Sequence, residues 1–237
     1  MLTRKEIKDI QSLTQKKSRD ALNLFVVEGM KSVQELIQHK PDIIQNIYGL
    51  GPQPAGVSSS LPYTAVTEIE LGRLSNLESP NKVLAVVRKI KWPEPVPGKI
   101  VYLDGIQDPG NLGTIIRTAD WFGLDAIVCS AETVDVYNSK VIQATMGSIF
   151  RLPVFYDVDR SWLRKQTTDI FVATMTGELH HSTAKVETGV LVIGNEGRGV
   201  SQDILGMSSR HITIARTGAA ESLNASVAAG ILMAGLF

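Results

Sequence analysis

Five short runs of apolar residues between positions 100 and 214 constrain the fold of this chain more than any other feature. The runs are nearly continuous in Val, Ile, Leu and Ala, and they lie at residues 100–103, 126–129, 170–173, 190–193 and 211–214. Strands buried on both faces have this composition, as in a parallel sheet that is covered by helices. Apolar residues at helical spacing follow the first run and predict a helix that begins near Asn111. The sequence therefore predicts an α/β fold with a parallel sheet in this part of the chain.

The first hundred residues show a second, smaller alternation of strands and helices. Apolar runs at 24–27, 43–48 and 83–87 predict strands, and residues 30–37 carry apolar side chains at helical spacing. Residues 92–98 contain three prolines and a glycine, a composition that neither a helix nor a central strand tolerates. We predict a domain at residues 1–92, a linker at 93–98 and a second domain at 99–237.

Composition places the chain among globular proteins. It is 43% hydrophobic and 20% charged, which suits a protein with a substantial core. No apolar run approaches the roughly 20 residues that a membrane helix needs. The N-terminal residues 1–6 lack the apolar stretch of a secretory signal. We expect a cytoplasmic protein that has no membrane partner.

Cysteine and histidine usage argues against metal or disulfide chemistry. The single cysteine, Cys129, excludes an intrachain disulfide and a multi-cysteine zinc site, and its apolar neighbours predict an inert buried thiol. His180 and His181 are adjacent, but no Cys or Glu lies nearby at the spacing of metal ligands. We predict no metal site.

The formal net charge of zero hides an asymmetry between the two parts of the chain. Residues 1–99 hold 14 Lys and Arg against 10 Asp and Glu, a charge of +4, whereas residues 100–237 hold 10 against 14, a charge of −4. Basic side chains concentrate near the N-terminus, where Lys16, Lys17 and Arg19 are candidates for contacts with nucleic-acid phosphates. On charge alone, a solvated helix face is the favoured interpretation.

Three polar motifs lie close behind predicted strands. They read DPGNLGTIIRTA at residues 108–119, IGNEGRGV at 193–200 and ESLNASVA at 221–228. An α/β enzyme builds its site from such loops, because they meet at the carboxyl ends of parallel strands, where helix N-termini offer free N–H groups. Gly194, Gly197 and Gly199 permit positive φ and close backbone approach in the second loop, although an ordinary glycine-rich turn would look similar.

In order and spacing, these motifs resemble those of the SpoU (TrmH) family of RNA ribose 2′-O-methyltransferases, which belongs to the SPOUT superfamily. The similarity extends from about residue 103 to the C-terminus and includes the segment NSKVIQATMGSIFRLPV at 138–154. One departure is visible, because Ile212, Thr213 and Ile214 stand where the family usually carries Ile-Pro-Met. In the N-terminal part, the similarity rests on FVVEG at residues 25–29.

The resemblance implies a fold, a cofactor and an assembly. The C-terminal domain is expected to be an α/β knot, in which the third motif threads through a loop to form a trefoil. The N-terminal domain is expected to resemble a ribosomal-protein fold and to bind the RNA substrate. S-adenosylmethionine is the expected cofactor. Family members are homodimers, and small residues on the predicted final helix (Ala225, Ala228, Ala229, Gly230), followed by an apolar C-terminus, are compatible with a dimer through the C-terminal domain.

The resemblance also implies the residues of the site. The expected catalytic residues are Arg117, Asn111, Glu196, Ser222 and Asn224. The expected cofactor-binding residues are Thr174, Gly194, Asn195, Glu196, Gly199, Ile212, Ile214, Leu223 and Asn224. The expected RNA-binding residues are Lys16, Lys17, Arg19 and Arg117.

Arg117 occupies the place of the family's catalytic arginine, for which two roles are open. One is a general base for the 2′-hydroxyl proton, although a guanidinium normally keeps its own proton. The other, which we prefer, is a bidentate clamp on the phosphate beside the target ribose, which would lower the pKa of the hydroxyl.

The remaining catalytic candidates each have a simpler structural role beside the functional one. Asn111 can cap the helix that carries Arg117. Glu196 can pair with Arg117 or hold a ribose hydroxyl, and Ser222 and Asn224 can cap the last helix or orient the target nucleotide.

We therefore predict a two-domain RNA 2′-O-methyltransferase. The alternative is a non-catalytic RNA-binding protein that retains the fold. Retention of all five catalytic candidates argues against it. The residues do not choose between ribosomal and transfer RNA, and we expect ribosomal RNA.

Overall fold

The computed structural model describes residues 2–53, 58–77 and 79–237. In these residues the helices are α1 (Arg4–Ser12), α2 (Lys16–Leu22), α3 (Met30–His39), α4 (Glu68–Leu74), α5 (Pro109–Trp121), α6 (Ser139–Thr145), α7 (Ser161–Arg164), α8 (Gln202–Leu205) and α9 (Ala225–Leu236). The strands are β1 (Leu24–Glu28), β2 (Ile44–Leu50), β3 (Tyr63–Val66), β4 (Val83–Arg88), β5 (Lys99–Asp104), β6 (Ala126–Ser130), β7 (Val154–Asp157), β8 (Ile170–Leu179), β9 (Gly189–Gly194) and β10 (Arg210–Thr213).

The chain divides into two compact units, and both are built from more than one segment. The first unit holds Met1–Lys91 and Tyr137–Arg151, and the second holds Trp92–Val136 and Leu152–Phe237. Residues 137–151, which the sequence analysis assigned to the second domain, therefore group with the first unit. Here α6 packs on β1, and the ring of Tyr137 lies 4.6 Å from that of Phe25. The domain boundaries at 1–92, 93–98 and 99–237 stay a prediction.

A four-stranded sheet in the order β1-β4-β2-β3 forms the centre of the first unit. β4 pairs antiparallel with β1 and β2, whereas β3 joins β2 in parallel. α1 and α4 pack against each other, and both begin at capping boxes, Thr3 with Glu6 and Thr67 with Glu70. Their apolar faces bury a core that includes Ile10, Leu13, Val26, Tyr48, Leu71, Leu74 and Leu84. The strands predicted at 24–27, 43–48 and 83–87 and the helix at 30–37 are confirmed.

The second unit is an α/β structure around a six-stranded sheet in the order β10-β8-β9-β5-β6-β7. Every neighbouring pair in this sheet is parallel, which confirms the α/β fold with a parallel sheet. Four of the five predicted runs lie wholly in strands, and their side chains are almost all buried, whereas the run at 211–214 extends one residue beyond β10 and buries only Ile212. β9 and β5 are neighbours, and Asp104 at the end of β5 lies opposite Gly194 at the end of β9. The first two polar motifs therefore leave the sheet side by side.

Several elements of the second unit differ from the prediction, and α5, β8 and β7 are examples. α5 begins at Pro109, two residues before Asn111. β8 continues through residues 174–179, beyond the run predicted at 170–173, and its pairing with β10 shifts register between His211 and Ile212. β7 was not predicted, since Phe155 and Tyr156 at its centre are only partly buried and its apolar pattern is short.

The proline-rich segment 93–98 forms neither helix nor strand, as its composition predicts. Within the second unit it is fastened by Trp162, whose indole Nε1 donates to the carbonyl of Pro95 at 2.8 Å. Among the described residues, no helix is long and apolar enough to cross a membrane.

Candidate functional site

The first motif begins with a capped helix terminus that turns Asn111 inward. Asp108 is the N-cap of α5, and its Oδ1 accepts from the backbone N–H of Asn111 at 2.8 Å, with Pro109 at the first helical position. The prediction that Asn111 caps this helix is therefore wrong. Because Asp108 performs that role, the Asn111 side chain is available for other contacts, and the residue is only 8% exposed.

A chain of side-chain hydrogen bonds joins all three motifs. Nδ2 of Asn224 donates to Oδ1 of Asn111 at 2.9 Å, and Nδ2 of Asn111 donates to Oε1 of Glu196 at 2.8 Å. The partners are 113 and 85 residues apart in sequence. The structure thus brings together three of the five predicted catalytic residues.

The cap of α9 fixes the direction of this chain. Oδ1 of Asn224 accepts from the backbone N–H groups of Ser226 at 2.9 Å and Val227 at 3.3 Å. Since this oxygen is used by the helix terminus, the amide nitrogen of Asn224 must face Asn111. Asn111 must then present its own nitrogen to Glu196, so the position of Glu196 requires an acceptor. A carboxylate meets this requirement and keeps its second oxygen for another partner.

The second motif is a tight loop held by its own backbone. Asn195 and Gly199 exchange two backbone hydrogen bonds, at 3.0 and 2.9 Å. A Cβ at Gly194 would lie 2.3 Å from the carbonyl carbon of Gly199, so only glycine fits there, and Gly199 has a φ of +69°. Gly197, the third glycine of the prediction, meets neither condition.

The side chain of Asn195 holds this loop together. Its Oδ1 accepts from the N–H groups of Gly197 and Arg198 at 2.9 and 3.1 Å. Its Nδ2 donates to the carbonyl of Gly105 at 2.7 Å, which fastens the second loop to the first. We conclude that Asn195 shapes the loop through its side chain.

A cavity of about 880 Å³ lies between the second and third motifs. It is lined by Thr174 after the buried part of β8, by the second loop, and by the chain from Ile212 into α9. Most predicted cofactor-binding residues line it, namely Thr174, Gly194, Asn195, Glu196, Gly199, Ile212, Ile214 and Leu223, together with the predicted catalytic residue Ser222. Asn224 is not among its lining residues and reaches the site through Asn111.

Arg117 is exposed on α5, which leaves its guanidinium open to a substrate. Two roles were predicted for Glu196, an ion pair with Arg117 and a hydrogen bond to a ribose hydroxyl. The structure shows Glu196 accepting a hydrogen bond from Asn111 in place of the ion pair. Ser222 is also exposed and precedes the cap of α9.

The predicted RNA-binding cations of the first unit differ from one another in their surroundings. Arg19 is 3% exposed, and its guanidinium donates to the carbonyls of Leu13 and Thr14 at 2.9 and 2.7 Å. The prediction that Arg19 contacts RNA is therefore wrong, because the side chain is buried and closes the turn between α1 and α2. Lys17 is exposed.

Lys16 is exposed, but it forms an ion pair with Asp20 at 2.7 Å. Lys89 binds the same carboxylate from β4's C-terminal side, at 2.5 Å. Hydrogen bonds from Lys16 and Lys89 lower the pKa of Asp20 to about 2. A local acidic partner thus offsets part of the positive charge that the sequence places here.

The remaining candidates for reactive chemistry are buried or isolated. Cys129 is fully buried in β6, and burial raises the pKa of its thiol. No group of three or more His, Cys, Asp or Glu side chains in residues 2–53, 58–77 and 79–237 is arranged to hold a metal ion.

The sequence analysis did not identify two charged residues behind the second loop. Asp104 is buried at the end of β5 and accepts from the backbone N–H of Ser201 at 2.7 Å. Arg160 donates to Asp104 at 3.5 Å and to Asp203 at 3.2 Å. The position of Asp104, directly after an apolar run and before the first motif, was the available indication.

The fold and these loops define a class of α/β proteins whose site lies where the carboxyl ends of β5 and β9 meet. Comparison with known proteins identifies the family within that class. The model of the SpoU rRNA methylase family matches residues 98–234, and that of the MRM3-like substrate-binding domain matches residues 4–85. The chain belongs to the SpoU family of RNA methylases, which confirms the resemblance. It is an enzyme of the RNA methyltransferase class, and S-adenosylmethionine is its expected cofactor.

Individual relatives are similar over almost the whole chain. A Bacillus subtilis protein named 23S rRNA (guanosine(2553)-2′-O)-methyltransferase RlmP is 32% identical over 234 residues, covering 96% of this chain and 94% of the relative. A Porphyromonas gingivalis structure assigned to the TrmH family of RNA methyltransferases has a TM-score of 0.90 at 32% identity, with 99% and 98% of the two chains covered. An AdoMet-bound rRNA methyltransferase from Sinorhizobium meliloti has a TM-score of 0.89 at 30% identity, with 99% and 95% covered.

Proposed function

We propose that this protein methylates a ribose 2′-hydroxyl in structured RNA, with ribosomal RNA as the substrate class. The observation that carries the proposal is the hydrogen-bond chain Asn224–Asn111–Glu196, which joins three loops beside an apolar-walled cavity. A scaffold that only binds RNA has no need of a polar network that fixes the orientation of two amides and a carboxylate. The named activity of the Bacillus subtilis relative, which is similar along 94% of its length, supports ribosomal RNA.

The residues around the cavity fit S-adenosylmethionine. Ile212, Ile214 and Leu223 offer an apolar wall for an adenine ring, and the tight loop after Gly194 offers backbone groups for its edges. Two carboxylates, Glu196 and Glu221, and two guanidinium groups, Arg198 and Arg216, line the same cavity, which offers partners of both signs to a ligand that carries a sulfonium and a carboxylate. When bound, the cofactor supplies a methyl group that its sulfonium activates for transfer.

Arg117 then acts on the RNA. Its exposed guanidinium binds the phosphate beside the target ribose with two parallel N–H bonds, which favours the ionised hydroxyl. The hydroxyl proton passes to that phosphate or to water, since a guanidinium keeps its own proton. A general-base role for Arg117 is the alternative, and both roles require the residue for turnover.

The other catalytic residues orient the ribose. Oε1 of Glu196 is bonded by Asn111, which leaves Oε2 to accept from a ribose hydroxyl. The Ser222 hydroxyl is exposed at the cavity and can donate to the target nucleotide. Asn111 and Asn224 hold Glu196 in place.

The first unit captures the RNA. The match of residues 4–85 to a substrate-binding domain supports this role. Among the predicted RNA-binding cations of this unit, Lys17 has an exposed side chain that can contact an RNA phosphate directly. Lys16 can contact a phosphate when that phosphate displaces the carboxylate of Asp20. Residues 1–92 as the RNA-binding domain, with a fold similar to a ribosomal protein, are part of this proposal.

Three finer features complete the proposal. The C-terminal region forms a trefoil knot around the third motif, for which the likeness to TrmH-family structures is the support. The protein acts in the cytoplasm. It is a homodimer through the second unit, since Trp121 and Phe122 at the end of α5 are 84% and 40% exposed.

The small residues of α9 turn out to serve packing within the chain. Ala225 and Ala229 are buried, and a Cβ at Gly230 would lie 3.6 Å from Thr118 of α5. The dimer proposal therefore rests on the exposed aromatic pair rather than on the small-residue face of α9.

A single-turnover assay with radiolabelled S-adenosylmethionine tests the function. Ribosomal RNA from cells that lack the protein should be methylated stoichiometrically at one ribose, and a matched transfer RNA pool should not. Binding of both cofactor and ribosomal RNA without any transfer would favour the non-catalytic alternative.

A further inference from the structure

A buried carboxylate lies directly behind the loop formed by residues 195–200, which we call the glycine loop. Asp104 is the last residue of β5 and is 5% exposed. Its Oδ2 accepts from the backbone N–H of Ser201 at 2.7 Å, at the point where the glycine loop ends and α8 begins. The other end of the loop is held by Asn195, which donates to the carbonyl of Gly105 at 2.7 Å. Both ends of the loop are thus bonded to consecutive residues, Asp104 at the end of β5 and Gly105 directly after it.

Arg160 supplies the counter-charge for this carboxylate. One guanidinium nitrogen donates to Oδ1 of Asp104 at 3.5 Å, and the other donates to Asp203 of α8 at 3.2 Å. The Arg160 side chain is 18% exposed, whereas that of Asp203 is 72% exposed. Arg160 has a φ of +60°, a conformation that is uncommon for a residue other than glycine. It lies between β7 and α7, outside the three motifs.

The charges of Asp104 and Arg160 explain why the two residues occur together. A buried carboxylate without a partner of opposite charge is strongly destabilised. The Arg160 guanidinium provides that partner at Oδ1 of Asp104, while Oδ2 accepts from Ser201. Through Ser201, the pair restrains the glycine loop, which lines the cavity.

We propose that Asp104 and Arg160 are positioning residues that hold the glycine loop in the conformation that binds the adenosyl cofactor. The inference rests on the proposed function for the identity of that cofactor. Neither residue lines the cavity, so their effect is transmitted through Ser201 and the loop backbone.

The test compares Arg160→Met with Arg164→Met in the full-length protein. Arg164 is an exposed arginine four residues away, and its guanidinium donates to the carbonyl of Asp159 at 2.8 Å. The measurements are the Kd of S-adenosylhomocysteine by calorimetry, hydrogen exchange of the Ser201 and Arg198 amides in the free protein, and Tm.

Arg160→Met should weaken the Kd about tenfold and accelerate exchange at both amides, whereas Arg164→Met should leave both readouts at the parent values. Asp104→Asn combined with Arg160→Met should bind better than Arg160→Met alone, because the amide still accepts from Ser201 and leaves no unpaired charge. A merely structural pair would lower Tm without moving the Kd or the exchange of these amides.

Equal Kd values and equal amide exchange in the two arginine variants would overturn the proposal. Failure of the parent protein to bind the adenosyl ligand would instead refute the proposed cofactor. Hydrogen exchange in the free protein would then still decide whether the pair restrains the loop.

Discussion

Replacing Asn224 with aspartate separates the two duties of this side chain. Oδ1 of Asn224 caps α9, and Nδ2 donates to Asn111 at 2.9 Å. An aspartate keeps the capping oxygen, and its negative charge suits a helix N-terminus. It also places a second acceptor against Oδ1 of Asn111. Asn224→Asp should therefore preserve the helix and disrupt the chain to Glu196.

The size of the effect follows from the bonds that are lost. A hydrogen bond to a charged group is worth about 1.5–3 kcal/mol, so the single-turnover rate should fall by a factor of about 10 to 150. The lost bonds should lower the Tm as well, but the cap of α9 remains in Asn224→Asp. Asn224→Ala is the matched comparison, since it also removes the cap, at a cost of about 1 kcal/mol, which corresponds to about 2–4 °C in Tm.

The assay is single-turnover methyl transfer to ribosomal RNA at saturating cofactor, with Tm measured on the same samples. A rate for Asn224→Asp within twofold of the parent would refute the reasoning. Reversing the donor and acceptor order in the hydrogen-bond chain Asn224–Asn111–Glu196 gives a second check. If Asn111 turns its amide, Glu196→Gln supplies the donor that it then needs, so Asn224→Asp with Glu196→Gln should be more stable than Asn224→Asp alone.

Three further predictions concern other residues. Arg117→Ala should abolish methyl transfer and leave the calorimetric Kd of S-adenosylhomocysteine nearly unchanged, and a near-normal single-turnover rate would exclude a role for Arg117 in the reaction. Lys17→Ala should reduce the slope of log K for RNA binding against log salt by about one unit, and an unchanged slope would show that Lys17 is only a solvated residue. Arg19→Ala should instead lower Tm, because it leaves the Leu13 and Thr14 carbonyls without their donor. The pKa of Asp20 is held at about 2, below its unfolded value near 3.9, so the stability that its lysine partners provide is present above about pH 4 and is lost as pH falls towards 2. In urea unfolding, Asp20→Asn should therefore be less stable than the parent at pH 7, and the two proteins should converge at pH 2. The difference in the free energy of unfolding at pH 7 should be less than about 1 kcal/mol because the pair with Lys16 is largely exposed.

Local sequence was sufficient for five of the six strands of the parallel sheet, all except β7. Their runs are apolar on both faces, and this pattern depends only on neighbouring residues. The second motif also indicated the glycines at 194 and 199, but it did not distinguish them from Gly197, which meets neither structural condition. The Asp-Pro-Gly sequence at 108–110 matches a helix start with Asp108 as cap, but the sequence analysis placed the start near Asn111.

The features that sequence did not reveal depend on contacts between distant residues. The direction of the Asn224–Asn111–Glu196 chain requires three loops to meet across separations of 113 and 85 residues. Arg19 lies among basic residues, and only the turn between α1 and α2 shows that it is buried. Residues 137–151 carry a pattern similar to the methyltransferase family but pack with the first unit, which no local pattern indicates.

The central claim is tested most directly by mapping ribose methylation by mass spectrometry in ribosomal and transfer RNA from cells with and without this protein. The account predicts the loss of one 2′-O-methyl group from ribosomal RNA, its return on expression of the parent protein, and no return with Arg117→Ala. Identical methylation maps in the two strains, or a lost methyl group that Arg117→Ala restores, would contradict it.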